Sequence, residues 1–327
     1  MRRAPLVLLI LLLPVSVMVA LAFGAVSVPL GDAWQAITGN GEPMVRAIVR
    51  DVRLPRVMLA LLVGAALGMS GAALQATLRN ALAEPYLLGV SGGAAVGAVL
   101  VVSLGVASAA VLSLAAFAGA LGAVALVIAV ARSAGSGGGA GDPRVLLMAG
   151  VVVGAFANAA IMILLANAPG NEVRSALWWM MGSMAAADWT AVRWMLLTLL
   201  VAGVVLLHWA RDIDVLALGS DAAASLGVDP DSAARRVFLV ASLLAAATVA
   251  TAGLIGFVGL IVPHAARALG GARQRGVFAV SALVGAILVI LADLAARTAQ
   301  APAELPLGAV TAVLGVPFFL AMLRKSL

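Results

Sequence analysis

Long apolar runs without Asp, Glu, Lys or Arg dominate the pattern along the chain. A helix that crosses a bilayer needs about 20 apolar residues, because the hydrocarbon layer is about 30 Å thick and each residue adds about 1.5 Å. Runs that meet or approach this length cover residues 4–31, 57–78, 85–131, 145–171, 194–210, 237–266, 276–292 and 305–323. The pattern predicts an all-α polytopic membrane protein, with residues 1–327 forming one transmembrane domain.

Two of these runs can hold more than one crossing. The run 85–131 has room for two helices with a turn near Gly105. The run 237–266 is long for one helix and short for two, but two crossings would place all the arginines that flank it on one side of the membrane, as the positive-inside tendency favours. We therefore predict about ten transmembrane helices, with both termini in the cytoplasm. The leucine-rich N-terminus also resembles a secretory signal, and we interpret it as the first helix.

The composition supports this interpretation and excludes several other classes. Hydrophobic residues make up 64% of the chain and charged residues 10%, whereas about 25% of a soluble domain is charged. The net charge of +6 is too thinly spread to build a groove for nucleic acid. Cysteine is absent, which excludes thiolate metal ligands and nucleophiles. With no phosphate-binding loop, no metal-binding motif and no paired acid and base, the chain is predicted to be neither an enzyme nor the holder of a cofactor or metal.

Three segments between the predicted spans are too short or too polar to cross the membrane themselves. Residues 32–55 alternate arginines with an apolar face, which is typical of a helix lying in the membrane interface on the periplasmic side. Residues 173–184 carry two tryptophans and predict a short helix at the outer rim. The cytoplasmic loop 211–233 predicts one short helix, with Ser220 as its N-cap and Gly227 as its C-terminal stop. A glycine-rich loop is expected at residues 134–141.

One acidic residue near the end of its span has two possible roles. Asp293 precedes Arg297 by four residues, the spacing of an ion pair on one helix face. The simpler interpretation is that Asp293 and Arg297 form a structural ion pair near the outer surface. The alternative is an ion-coupled secondary transporter without an ATPase, in which Asp293 would carry the coupling ion.

A series of short blocks follows in order from about residue 50 to the C-terminus. The blocks include Arg53-Leu54-Pro55-Arg56, Arg79-Asn80-Ala81-Leu82-Ala83-Glu84-Pro85, Leu88-Gly89-Val90-Ser91, Leu226-Gly227-Val228, Gly256-Phe257-Val258-Gly259 and Glu304-Leu305-Pro306-Leu307-Gly308. The ordered set resembles the permease subunits of binding-protein-dependent ABC importers for cobalamin, haem and ferric siderophores. Ala81 departs from the family, which usually has proline there, and this affects the expected stiffness of the loop.

The resemblance implies a type II ABC importer architecture in a bacterial inner membrane, with defined partners. Two copies of the chain would work with two cytoplasmic ATPase subunits, which bind ATP and Mg²⁺, and with a periplasmic substrate-binding protein. The residues implied to contact the ATPase are Ser220, Asp221, Ala222, Ala223, Leu226 and Gly227. Those implied to receive glutamates of the binding protein are Arg53, Arg56 and Arg297. The alternative for Arg53 and Arg56 is that they extend to lipid phosphates.

The resemblance also implies a pathway for a large metal chelate between the two copies. Asn80 and Leu82 are expected to form the inner constriction, Asp142 and Pro143 a second one, and Arg174 the outer mouth. The alternative for Arg174 is a side chain that reaches the membrane surface beside Trp178. Glu84-Pro85 and the block 88–91 look closer to the cobalamin and haem members, and an arginine at the mouth favours an anionic cargo. The expected order is haem, then cobalamin, then ferric siderophore.

Overall fold

The computed structural model describes residues 3–24, 26–106, 108–133, 142–270 and 273–326. The glycine-rich loop predicted at 134–141 lies outside them. Within the described residues the α-helices are α1 (Arg3–Ala22), α2 (Leu30–Thr38), α3 (Pro43–Ala47), α4 (Leu54–Thr77), α5 (Val90–Ser103), α6 (Ala109–Ser133), α7 (Pro143–Ala166), α8 (Gly170–Met180), α9 (Trp189–His208), α10 (Ala210–Leu216), α11 (Ser220–Ser225), α12 (Pro230–Ala252), α13 (Val258–Gly270), α14 (Gln274–Thr298) and α15 (Leu307–Ser326). A π-helical turn, Ile48–Arg53, joins α3 to α4, and a 3₁₀ turn, Pro85–Leu88, precedes α5.

The all-α polytopic architecture predicted from the sequence is confirmed. Across the described residues, seven helices are long and apolar enough to cross a membrane, and three shorter apolar helices accompany them. These three are Val90–Ser103, Val258–Leu269 and Leu307–Ala321. The total agrees with the ten crossings expected from the charge pattern.

Both ambiguous apolar runs divide as predicted. The first forms α5 and α6, and the turn between them contains Gly105 with φ +71°. The second forms α12 and the short α13, and the non-helical stretch 253–257 separates them. Helix α11 lies at one end of the bundle, which we call the inner end, and α8 lies at the opposite, outer end.

Helix α4 is the centre of the bundle, and small residues allow its neighbours to approach closely. It packs against α14 over most of its length. A Cβ atom on Gly64 would collide with the carbonyl oxygen of Gly285, and one on Gly68 would collide with that of Ser281. Because lipid tails are as apolar as these side chains, close van der Waals packing is what joins helices in a bilayer. Gly64 and Gly68 therefore serve packing, as their spacing indicates.

The predicted interfacial helix at 32–55 is wrong in its second half. Helix α3, the π turn and α4 form one continuous helix, Pro43–Thr77, of 35 residues. At about 1.5 Å per residue it is about 52 Å long, more than the hydrocarbon thickness. Part of the apolar face of this segment packs on the protein itself, since Val49 is fully buried in the core, whereas Met44 and Val52 are 70% and 61% exposed. Only α2 remains a separate short helix.

Two smaller expectations also need correction. The loop 211–233 holds two short helices, α10 and α11, because the apolar side of α10 packs on α4 and α12. The predicted rim helix at 173–184 is α8, which begins and ends a few residues earlier.

We expect alanine at Gly64 to destabilise the protein, because its methyl group has to displace the backbone of α14. Overpacking of this kind costs about 1–3 kcal/mol. Gly122→Ala is the matched control, since a Cβ there meets no atom within 4 Å and alanine is the better helix former. Thermal unfolding in detergent should show a lower midpoint for Gly64→Ala alone; equal midpoints for the two variants would contradict this packing account.

Candidate functional site

Helix α11 is a compact turn closed at its C-terminal end by glycine. Gly227 has φ +81°, and the amides of Gly227 and Val228 donate to the carbonyl oxygens of Ala224 and Ala223 at 3.0 and 2.9 Å. The predicted stop at Gly227 is therefore confirmed. The predicted N-cap is wrong: Ser220 is the first helical residue, and Gly219 is the cap, with φ +114° and no side-chain hydrogen bond. Glycine suits that position because its φ is positive, a region that other residues rarely adopt.

Short apolar side chains fix α11 to the rest of the bundle. Ala223 is fully buried and packs with Leu216 of α10 and with Ala233 and Ala234 of α12. Helix α10 is in turn tied to the start of α14, because the Gln274 amide donates to Asp214 Oδ1 at 2.8 Å. A force on α11 is thus transmitted to two spanning helices.

Two exposed leucines flank this protrusion. Leu218 is 67% exposed and Leu226 is 58% exposed. Ser220, Asp221 and Ser225 on the same protrusion are exposed as well, while Ala222 is half-buried. Apolar side chains on an otherwise polar protrusion are typical of a protein contact. Leu218 was not among the residues that the sequence predicted for this contact, although Leu226 was.

A cleft at the inner end brings two groups of predicted residues together. Its volume is about 340 Å³. Its lining comprises Thr77, Arg79, Asp142, Pro143, Arg144, Leu216, Ser220, Pro230, Asp231 and Ala234. The second predicted constriction, Asp142 and Pro143, therefore lies beside the start of α11. Arg79 was noted in the sequence only as part of its block, and Arg144 and Asp231 were not identified, because the segments that carry these charged residues are far apart along the chain.

Asp142 and Pro143 also have a local structural role at the start of α7. Asp142 Oδ1 accepts a hydrogen bond from the Arg144 amide at 2.8 Å, and Pro143 occupies the first helical position. Both are residue types favoured at a helix N-terminus.

The loop after α4 contains the predicted inner constriction. Asn80 Oδ1 accepts a hydrogen bond from the Leu82 amide at 2.9 Å, and its carbonyl oxygen accepts one from Ala83 at 3.0 Å. The side chain of Leu82 is 46% exposed. The asparagine thus folds the loop as an Asx turn, which stiffens it although Ala81 stands where the family usually has proline.

At the outer end, one guanidinium group holds two carboxylates. Arg56 donates from Nε and Nη2 to Asp293 at 2.9–3.1 Å and from Nη1 and Nη2 to Glu304 at 2.7 and 2.9 Å. Arg56 is 9% exposed and Asp293 1% exposed. Both pairs are bidentate, the geometry that only arginine offers to a carboxylate. The Arg56 guanidinium lowers the pKa of Glu304, which lies in the loop before α15.

The other two predicted docking arginines lie beside this group. Arg53 donates to the carbonyl oxygens of Leu21 and Ala22 at 2.7 and 2.9 Å, and Arg297 donates to that of Ala20. Arg297 Nε lies 3.6 Å from Asp293 Oδ2, so the predicted ion pair on α14 is confirmed. Engaged by two guanidinium groups, Asp293 has the environment of a structural ion pair rather than of an ion carrier.

All three arginines line one cleft of about 280 Å³ at the outer end. The other lining residues are Gly24, Val26, Ile48, Val52, Pro302 and Glu304. The guanidinium groups of Arg53 and Arg56 turn inward to carbonyl and carboxylate oxygens, so the alternative of side chains extended to lipid phosphates is wrong. Glu304 was missed, because 248 residues separate it from Arg56.

Arg174 lies in the second turn of α8 and is exposed. The helix starts at Gly170 behind the cap residue Pro169, earlier than the start predicted at residue 173, so Arg174 is not at its beginning. Its place at the outer end is compatible with the mouth of a pathway, a role that stays a prediction.

The chain is similar to known permeases over nearly its whole length. The model of the FecCD transport family matches residues 10–325. The cobalamin import system permease protein BtuC of Halobacterium salinarum is 41% identical, with 96% of this chain and 86% of that protein covered. The hemin transport system permease protein HmuU of Yersinia pestis is 36% identical, with 97% and 94% covered. A solved metal-chelate type ABC transporter in an inward-facing conformation matches with a TM-score of 0.87 and 30% identity over 98% of both chains.

We expect Asp293→Asn to destabilise the protein strongly, because it leaves Arg56 and Arg297 without their shared buried carboxylate. Breaking a buried ion pair from one side costs about 3–5 kcal/mol. Asp51→Asn is the control, since Asp51 is exposed. Unfolding in detergent should separate the two variants by a large shift of the midpoint. Similar midpoints would mean that the outer ion-pair cluster does not hold α4 to α14.

Proposed function

The chain belongs to the FecCD transport family, and on that premise we propose that it is the membrane-spanning subunit of an ABC importer that moves a large metal chelate into the cytoplasm. The observation that carries the proposal is α11, a rigid protrusion fixed to α10 and α12 with Leu218 and Leu226 exposed. Such a protrusion is what a separate ATPase subunit needs to move the spanning helices. ATP hydrolysis, with its Mg²⁺, belongs to that partner.

The transport mechanism is alternating access at the contact between two copies of the chain. The nucleotide state of the ATPases selects an inward- or outward-open arrangement of the helices. Helix α7 is proposed to line this contact and the pathway; Val151, Phe156 and Met162 along it are 65%, 68% and 70% exposed, and so remain available to a second copy of the chain. Asn80 and Leu82 close the inner end of the pathway, and Arg174 lies at its mouth.

The outer cleft is the proposed docking site for a carboxylate of the substrate-binding protein. Arg53, Arg56 and Arg297 together carry more positive charge than Asp293 and Glu304 neutralise. The external carboxylate competes with Glu304 for Arg56, because Glu304 is the more exposed of the two acids, with 37% of its side chain accessible.

The cargo is proposed to be a haem or cobalamin type of chelate. Arg174 favours anionic groups such as haem propionates, whereas the relative of 41% identity carries the name of a cobalamin permease and that of 36% a hemin permease. Uptake into liposomes that contain the chain, its ATPase and its binding protein tests the proposal with haem, cobalamin and a ferric hydroxamate side by side. ATP-dependent uptake of one chelate is expected; uptake by the chain alone, driven by an ion gradient, would overturn the proposal.

We expect Leu226→Asp to weaken the hold of the ATPase on the chain and to lower ATP-driven uptake at least about tenfold, because a charge replaces an apolar contact. Leu104→Asp makes the same change at a residue that is 70% exposed in the turn after α5 and should have no effect on either measurement. Equal retention of the ATPase by both variants during purification would remove α11 as its contact.

We expect Glu304→Gln to tighten the complex with the binding protein about tenfold, because Arg56 loses its internal competitor. Affinity measured by surface plasmon resonance on nanodiscs checks this, with Glu42→Gln, an exposed site, as the control. Unchanged or weaker binding would argue against a docking site at Arg56.

A further inference from the structure

The stretch between α12 and α13 is non-helical backbone inside the helix bundle. Ile255 and Val258 are fully buried, and the carbonyl oxygen of Gly259 lies against Gly71 of α4. Gly71 is six residues, or about 9 Å, from the inner end of α4 at Thr77. Backbone of this kind is tolerated within a membrane only where protein groups satisfy its N–H and C=O groups. The hydrogen-bond partners of this stretch therefore show which parts of the protein hold it in place.

The outer end of the stretch is bonded to two other non-helical turns. Ser183, after α8, donates its amide to the carbonyl oxygen of Ala252 at 2.9 Å. The amides of Leu307 and Gly308, at the start of α15, donate to Gly182 and Met181 at 3.1 and 2.9 Å. The turn after α8, the end of α12 and the start of α15 thus form one hydrogen-bonded unit.

The inner end of the stretch is held by a single carboxylate. Glu84 Oε1 accepts a hydrogen bond from the Phe257 amide at 2.7 Å, and Glu84 is only 8% exposed. Phe257 has φ +68°, a region that non-glycine residues occupy at a cost and only when their surroundings hold them. The carboxylate also lies at the start of α13, where the helix dipole favours a negative group.

Glu84 belongs to the loop that carries the proposed inner constriction, two residues beyond Leu82. The same loop has a second contact with α12, because Tyr86 Oη lies 3.1 Å from Thr248 Oγ1. A continuous connection therefore leads from Leu82 through Glu84 and residues 253–257 to the turn after α8 at the outer end.

We propose that Glu84 is a positioning residue that fixes the inner loop to the break between α12 and α13, so that the inner constriction and the outer α8 turn move as one unit. This inference rests on the proposed function, because alternating access requires that closing one end accompany opening the other. A rigid link inside each subunit couples the movements of the inner and outer ends, although the two ends do not touch each other directly.

The test compares Glu84→Gln, which keeps an oxygen acceptor for the Phe257 amide, with Glu84→Leu, which leaves that buried amide unpaired. In liposomes with the ATPase and binding protein, Glu84→Leu should retain ATP hydrolysis within about twofold and lose at least about tenfold in chelate moved per ATP. Glu84→Gln should stay within about twofold on both. Glu42→Leu, at an exposed position, is the matched control for the added leucine.

A second measurement follows the two ends separately. The chain has no cysteine, so Leu82→Cys and Ser175→Cys report the inner and outer ends through labelling by a membrane-impermeant thiol reagent. In the parent background, nucleotide should change the two labelling rates in opposite directions; with Glu84→Leu, the rate at residue 82 should follow nucleotide while that at residue 175 no longer does. Should Glu84→Leu fail to accumulate as folded protein, Glu84→Asp, whose carboxylate is one methylene short, is expected to give the same separation to a lesser degree.

The outcomes separate this inference from the function it rests on. Full coupling in Glu84→Leu, with both ends still moving together, would overturn the role of Glu84 and leave the importer intact. Equal loss of coupling in Glu84→Gln and Glu84→Leu would also overturn it, because the acceptor oxygen would then be irrelevant. No ATP-driven uptake by the parent protein would instead overturn the proposed function.

Discussion

The hydrocarbon layer offers no hydrogen-bond partner, and this constraint shapes the broken helices and the buried charges of the chain. Wherever a helix is broken or a charge is buried, another part of the protein has to supply the partner. Glu84 does so for the start of α13, and Asp293 with Glu304 does so for Arg56. These bonds join parts of the chain that are far apart in sequence, so satisfying the constraint also links the inner and outer ends of the bundle.

Helix α4 connects the two ends most directly. Its outer end carries Arg56 in the outer cleft, and its inner end carries Thr77 in the cleft beside α11. Between them, its glycines hold the α14 backbone at a distance that no other residue type allows. A helix packed in this way moves as a rigid rod, so a displacement of α11 can be transmitted through α10 and α4 to the outer cleft.

The spans could be predicted from the sequence because hydropathy and helix length are local properties. The same holds for the turn near Gly105, the break after α12 and the glycine stop at Gly227. The π turn that merges the Arg46–Arg53 segment into α4 could not be predicted, since it depends on which residues of the packed bundle surround Val49. The partners of Arg56 and Glu84 could not be predicted either, because pairing residues 248 and 173 positions apart requires the packed bundle.

The most direct test of the account is the distance between spin labels at two ends of the paired subunits, in the complex with the ATPase in nanodiscs. Ser225→Cys places a label on α11 and Ser175→Cys one on α8, both at exposed positions in a chain without other cysteines. Binding of ATP should shorten the distance between the two copies of residue 225 and change that between the two copies of residue 175 in the opposite sense. A movement at residue 225 that leaves residue 175 unchanged, or no response to ATP at either site, would contradict a permease driven from its inner face as one linked unit.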